Sequence, residues 1–171
     1  AVTATAEENP LTGEAGGIVT SGNNGYTYYI TVENTESDPE SVVPTNVVLT
    51  FAWPAPYERT NIEFVTEPSF PCDPIGPSGD ITCLLGDMEP GATVELRITY
   101  NSPSDTPGGL LFRSAARVSA DQEDSDTNNN RNNGINEVIT EVNLGIEKTD
   151  NLDIVAPGDF GEYTIVVRND G

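Results

Sequence analysis

The feature that most constrains this chain is a strict two-residue alternation of apolar and polar side chains. Tyr26, Tyr28, Ile30 and Val32 alternate with Thr27, Tyr29, Thr31 and Glu33. Val94, Leu96, Ile98 and Tyr100 alternate in the same way with Thr93, Glu95, Arg97 and Thr99. Successive strand residues point to opposite faces, so this period describes strands with one buried and one wet face. A helix cannot use it, and no window shows apolar residues at helical spacing. Further strands are expected at 2–6, 46–53, 60–66, 80–85, 111–120 and 135–142. Turn formers separate them, among them Asn23-Asn24-Gly25, Trp53-Pro54-Ala55-Pro56, Glu89-Pro90-Gly91 and 104–109. About seven short strands with turns every 8–12 residues predict an all-β, immunoglobulin-like Greek-key β-sandwich.

The charge balance excludes several functions. The 171 residues hold 28 Asp+Glu, 7 Lys+Arg and no His, a formal net charge of −21. Without His there is no Ser-His-Asp or Cys-His machinery and no His-ligated metal. Nucleic acid is excluded as a partner because phosphate binding needs concentrated positive charge. The longest apolar runs, such as Val47-Val48-Leu49, are far short of the ~20 residues of a spanning helix, so no direct membrane insertion is expected. Ser and Thr have no base to activate them, and carboxylate pairs for glycoside hydrolysis cannot be singled out among so many acids. The chain reads as a non-enzyme.

Cys72 and Cys83 flank ten residues rich in turn formers. This pattern favours a disulfide over two free thiols, at a gain of roughly 3 kcal/mol in the chain-entropy model. A disulfide in turn points to an extracellular or cell-surface location.

Repetition sets the domain plan. Tyr28-Tyr29-Ile30-Thr31-Val32-Glu33-Asn34 matches Tyr163-Thr164-Ile165-Val166-Val167-Arg168-Asn169 at an offset of 135, with identity on alternate residues. The expected division is one module at 1–143 and the first two strands of a second repeat at 144–171. Those two strands, Leu144 to Lys148 and Tyr163 to Arg168, carry Leu144, Ile146, Tyr163, Ile165 and Val167. Without a sheet to pack on, these five become candidates for strand complementation with a neighbour.

Four segments together resemble domain of unknown function 11, an immunoglobulin-like repeat of bacterial and archaeal surface proteins. Lys148-Thr149-Asp150 through Gly171 is similar to the family's opening run, and Thr45 to Thr50 with Phe64-Val65 to its middle. Cys72 with Cys83-Leu84-Leu85-Gly86-Asp87-Met88-Glu89-Pro90-Gly91 is similar to its cysteine segment. Ala116 to Ala120 with Asp124, Asp126, Asn128 and Asn129 is similar to its end. Residues 7–21 depart from the family, being longer and more polar. The resemblance implies a structural or adhesive surface role and supplies no catalytic residues.

The run from Asp121 to Asn133 is the densest polar constellation. Asp121, Asp124, Asp126 and Asn128 are candidate Ca²⁺ ligands, since hard oxygens on a turn suit that ion. The run is not an EF-hand, because Asn129 and Ile135 replace the required Gly and Glu. A solvated loop whose side chains cap their own backbone is the other reading. The aromatics Tyr26, Tyr28, Tyr29, Trp53, Tyr57 and Phe64 are candidates for a sugar-stacking patch or for the core, with Tyr29 pointing away from Tyr26 and Tyr28.

The function expected is a structural module of a stalk, fibre or filament, whose partners are copies of itself or neighbouring repeats. The alternative is an adhesin module that takes a glycan or protein ligand through its end loops.

Overall fold

A computed structural model describes residues 2–6, 17–36, 40, 42–74, 76–150, 154 and 156–169. It has strands and no helix among them. The chain divides into two compact units, Ala1–Ile139 and Thr140–Gly171.

The first unit is an immunoglobulin-like sandwich of two sheets. Its strands are β1 (Val2–Ala6), β2 (Ile18–Thr20), β3 (Tyr26–Glu33), β4 (Val47–Ala52), β5 (Glu58–Phe64), β6 (Cys72–Asp73), β7 (Ile81–Gly86), β8 (Thr93–Asn101), β9 (Leu111–Ser119) and β10 (Arg131–Ile139). One sheet runs β1-β3-β8-β5 and the other β2-β10-β9-β4-β7-β6. Among the described strands only β2 and β10 pair in parallel. The two clearest alternating segments are adjacent: β3 and β8 lie antiparallel with Tyr28 opposite Ile98 and Ile30 opposite Leu96.

Alternation becomes burial. The β3 and β8 apolar residues face Leu49 and Phe51 of β4, Ile81, Cys83 and Leu85 of β7, Ala116 of β9 and Val138 of β10, all in one core. Rings fill the half nearer Tyr26. Tyr100 stacks on Tyr28 with centroids 4.7 Å apart, and Trp53 meets Tyr28 edge-on at 6.1 Å. The candidate sugar patch therefore dissolves. Tyr26, Tyr28, Trp53 and Tyr57 are buried, and Phe64 packs partly buried beside them. Tyr29 lies on the outer face, opposite Arg97.

Two strands escaped the sequence pattern, β2 and β6. With three and two residues they are too short to display a period. The last strand of the unit starts at Arg131 and stops at Ile139, not 135–142 as expected. Polar Arg131 to Gly134 pair with Arg117 to Ser114, because a ladder needs backbone groups rather than apolar side chains. Residues 7–16, where the chain departs from the family resemblance, lie outside the described residues.

Buried polar contacts tie the sheets: the Thr20 N–H of β2 donates to the Tyr26 hydroxyl of β3 at 2.6 Å. The Tyr28 hydroxyl of β3 donates to Asn136 Oδ1 of β10 at 2.5 Å. Asn136 is 1% exposed, and its Nδ2 has no partner among the described residues.

The second unit is a two-stranded antiparallel sheet, β11 (Leu144–Thr149) with β12 (Thr164–Asn169). Its register is the register of β1 with β3. Ile146 faces Val167 as Val2 faces Val32, and Lys148 faces Ile165 as Ala4 faces Ile30.

Two outcomes test this core. Burial pushes the Tyr28, Tyr57 and Tyr100 phenols well above their ordinary value, so the folded state resists their ionisation. A folded pKa above the unfolded one gives stability that is complete below about pH 10 and lost as the pH rises further. Melting temperature should hold steady from neutral pH and then fall steeply in alkali. Tyr28→Phe, which leaves Asn136 buried without its donor, should cost about 1–3 kcal/mol in a urea titration at unchanged m.

Candidate functional site

Three places in the molecule have features beyond core packing. The first is the loop closed by the cysteines. Cys72 of β6 and Cys83 of β7 are directly opposite in the ladder and form a disulfide across 11 residues. Inside this loop Arg59 reaches in from β5. Its guanidinium donates to the carbonyls of Pro74 and Gly79 at 3.0 Å each and of Ser78 at 3.2 Å. It also lies 4.9 Å above the Trp53 ring. Asp80 accepts from the Trp53 backbone N–H at 2.9 Å. Burial lowers the pKa of Arg59 from its ordinary value, and its partners are carbonyl dipoles rather than a carboxylate. This assembly positions backbone and carries no reactive group.

The second place is the polar run after β9. Its four candidate metal ligands do different things. Asp121 turns toward the start of β4, where its Oδ2 accepts from Asn46 Nδ2 at 2.5 Å and from the Thr45 hydroxyl at 3.3 Å. Asn46 is held there in a left-handed conformation, φ 51°, which Asn tolerates better than most residues. Asp124 Oδ1 accepts from the Asp126 N–H, and Asp126 Oδ1 accepts from both the N–H and Nδ2 of Asn128. These are successive Asx turns, in which each carboxylate caps backbone two residues on. Among the described residues no three His, Cys, Asp or Glu side chains gather around one point that could hold a metal ion.

Beside this run opens a cleft of about 540 Å³, between residues 32–36 and 42–47 on one side and 118–130 on the other. Its floor is the aliphatic end of the core: Val32, Val47, Met88 and the half-buried Val118. Its rim has Glu33 and Glu36 on one side and Glu123 and Asp124 on the other. Asn34 braces the wall by donating Nδ2 to the Met88 carbonyl at 3.0 Å. The sequence pattern gave no sign of this cleft, because its two sides lie some ninety positions apart. A valine that ends a strand reads the same whether or not its end is covered.

The third place is one face of the β11–β12 hairpin. Leu144, Ile146, Tyr163, Ile165 and Val167, the five complementation candidates, share this face with Lys148, whose Nζ sits 4.1 Å from the Tyr163 ring centroid. Glu147 and Arg168 pair on the other face at 3.5 Å. The comparison with the first unit is direct. Tyr28, Ile30 and Val32 are 1–2% exposed, whereas their repeat counterparts Tyr163, Ile165 and Val167 are 58%, 58% and 67% exposed.

No protein-family model matches the chain, and no curated protein matches it. Solved structures do resemble it. The major pilin subunit BcpA of Bacillus cereus aligns over 99% of this chain at 12% identity, TM-score 0.55. The collagen-binding domain of a Staphylococcus aureus adhesin aligns over 80% at 7% identity, TM-score 0.51, and that domain is itself 96% covered. The chain spans about half the length of the pilin subunit, 55%. Identities this low speak for the immunoglobulin-like fold alone. No helix among the described residues is long and apolar enough to cross a membrane.

The disulfide loop yields a measurable outcome. Cys72→Ser with Cys83→Ser should lower stability by roughly 3 kcal/mol, read as a shift in urea midpoint. Adding Arg59→Leu should cost clearly less in that background than in the intact protein. Both restrain the same loop, so their effects are not additive.

Proposed function

We propose that the chain is a non-enzymatic module of an extracellular or cell-surface array, built as a stalk, fibre or filament. The path of the backbone through the first unit is what carries this reading. β1 starts opposite Val32, at the cleft end of β3. β10 finishes at Ile139 beside Thr20, and the Ile139 carbonyl accepts from Ser21 N–H. Thr20 is in turn fastened to Tyr26, at the other end of β3. The backbone thus comes in at one end of the sandwich and goes out at the other. Modules of this kind strung on one chain add their lengths, whereas a module with both termini at one end would hang from a side.

The β11–β12 hairpin then opens a second module of the same design. Its bare face with Leu144, Ile146, Tyr163, Ile165 and Val167 is the surface on which a neighbouring repeat or subunit completes the fold by strand complementation. The resemblance to domain of unknown function 11 supports this, as do the pilin and adhesin folds that the chain shares. The disulfide suits an oxidising, extracellular setting. A Ca²⁺ ion at Asp121, Asp124, Asp126 and Asn128 belongs to the same proposal. It would require those side chains to turn from their present partners, and would stiffen a loop at the cleft end.

Negative-stain electron microscopy of the native protein, with and without chelator, is the test. Thin extended particles with a regular axial repeat are expected, and their loss on chelation would tie Ca²⁺ to assembly. Compact isolated particles in both conditions would overturn the array. Ile165→Lys with Val167→Lys should abolish lateral or end-to-end assembly while leaving the melting of the first unit unchanged.

A further inference from the structure

The acid-rimmed cleft is not used by the array reading, and its chemistry is specific. We propose that it binds an extended peptide segment bearing a lysine or arginine next to an apolar side chain.

Shape and floor come first. About 540 Å³ is a volume in the range of small-ligand and peptide pockets. Val32, Val47 and Met88, at 2%, 4% and 4% exposure, close the bottom, and the apolar surface a ligand can cover is that of the 74% exposed Val42 and the partly buried Val118 and Ala120. An aliphatic side chain laid against them removes apolar area of both partners from water.

Charge selects the rest of the ligand. Glu33, Glu36, Glu123 and Asp124 surround the opening, and among the described residues no lysine or arginine lines it. Each carboxylate raises the cost of its neighbours, and a cation seated among them relieves that repulsion.

The same lining argues against other ligands. Among the described residues no Tyr, Trp or Phe lines the cleft, so a glycan finds no ring to stack on. An anionic ligand meets four carboxylates. A lone divalent ion would leave the apolar surface of the cleft unused.

The test uses the full chain and a fluorescein-labelled peptide of alternating leucine and lysine, read by anisotropy. A chain of net charge −21 attracts any polycation, so the controls carry the decision. A leucine–glutamate peptide controls for charge and a serine–lysine peptide for the apolar anchor. Two charge-matched double variants locate the site: Glu36→Lys with Glu123→Lys at the cleft, and Glu58→Lys with Asp105→Lys on exposed positions at the far end of the sandwich. The cleft pair should weaken leucine–lysine binding by about tenfold or more and the remote pair by no more than about twofold, as expected when a few central contacts carry affinity. Val118→Asp should weaken it as well. Equal losses from the two double variants would overturn the proposal. So would a serine–lysine peptide that binds as tightly as the leucine–lysine one, since either marks a diffuse charge effect. None of these outcomes depends on whether the protein forms arrays.

Discussion

The ring of Tyr100 lies within 4.7–5.9 Å, centroid to centroid, of Tyr26, Tyr28, Tyr57 and Trp53. This cluster joins β3 and β8 of one sheet to the strand end at Trp53, and through Tyr57 to Phe112 of β9 in the other. Large flat side chains can fill the space between two sheets about 10 Å apart without voids. They also bring hydroxyls to be matched: Tyr28 bonds Asn136 and Tyr26 accepts from the Thr20 N–H, both across the sheets, whereas the Tyr57 hydroxyl has no partner among the described residues. The other half of the core is mainly aliphatic, with Val32, Val47, Met88 and Val94 at its end and the Phe64–Phe70 ring pair packed against its edge.

Charge is the second constraint. With seven cations among 28 acids, each Lys or Arg placement matters. Arg59 is spent on three carbonyls, Arg97 pairs with Glu63, and Arg168 pairs with Glu147. The exposed pairs add little to stability. Arg59 does more, because it fastens a loop that the disulfide also closes. The acidic loop from Asp124 to Asn128 holds its shape with Asx turns.

The two units use one design in two states of completion. β11 and β12 copy the register of β1 and β3. In the first unit that pair is flanked by β8 and covered by a second sheet. In the second it stands as an amphipathic two-stranded ribbon, a structure of marginal stability by itself. The face that is core in the first unit is exposed in the second.

What the sequence determined by itself is the local period and its repetition. Alternation at 26–33 and 93–100, the turns between them, the disulfide across a turn-rich loop and the copy at 163–169 were all legible, because each is written in neighbouring residues. The strands at 18–20 and 72–73 were not, being too short to show a period. Nor were the long-range pairings. Tyr28 meets Asn136 across 108 positions, Arg59 meets a loop whose carbonyls look like any others, and Glu33 shares a cleft with Glu123. Asp121, Asp124, Asp126 and Asn128 looked like one set by spacing, yet the fold turns Asp121 toward Asn46 and leaves the rest on their own backbone. Period and turn chemistry follow from each residue's immediate neighbours. Which side chain ends up facing which is decided only when two sheets pack, because that choice depends on the volume, charge and hydrogen bonds of residues the chain brings together from afar.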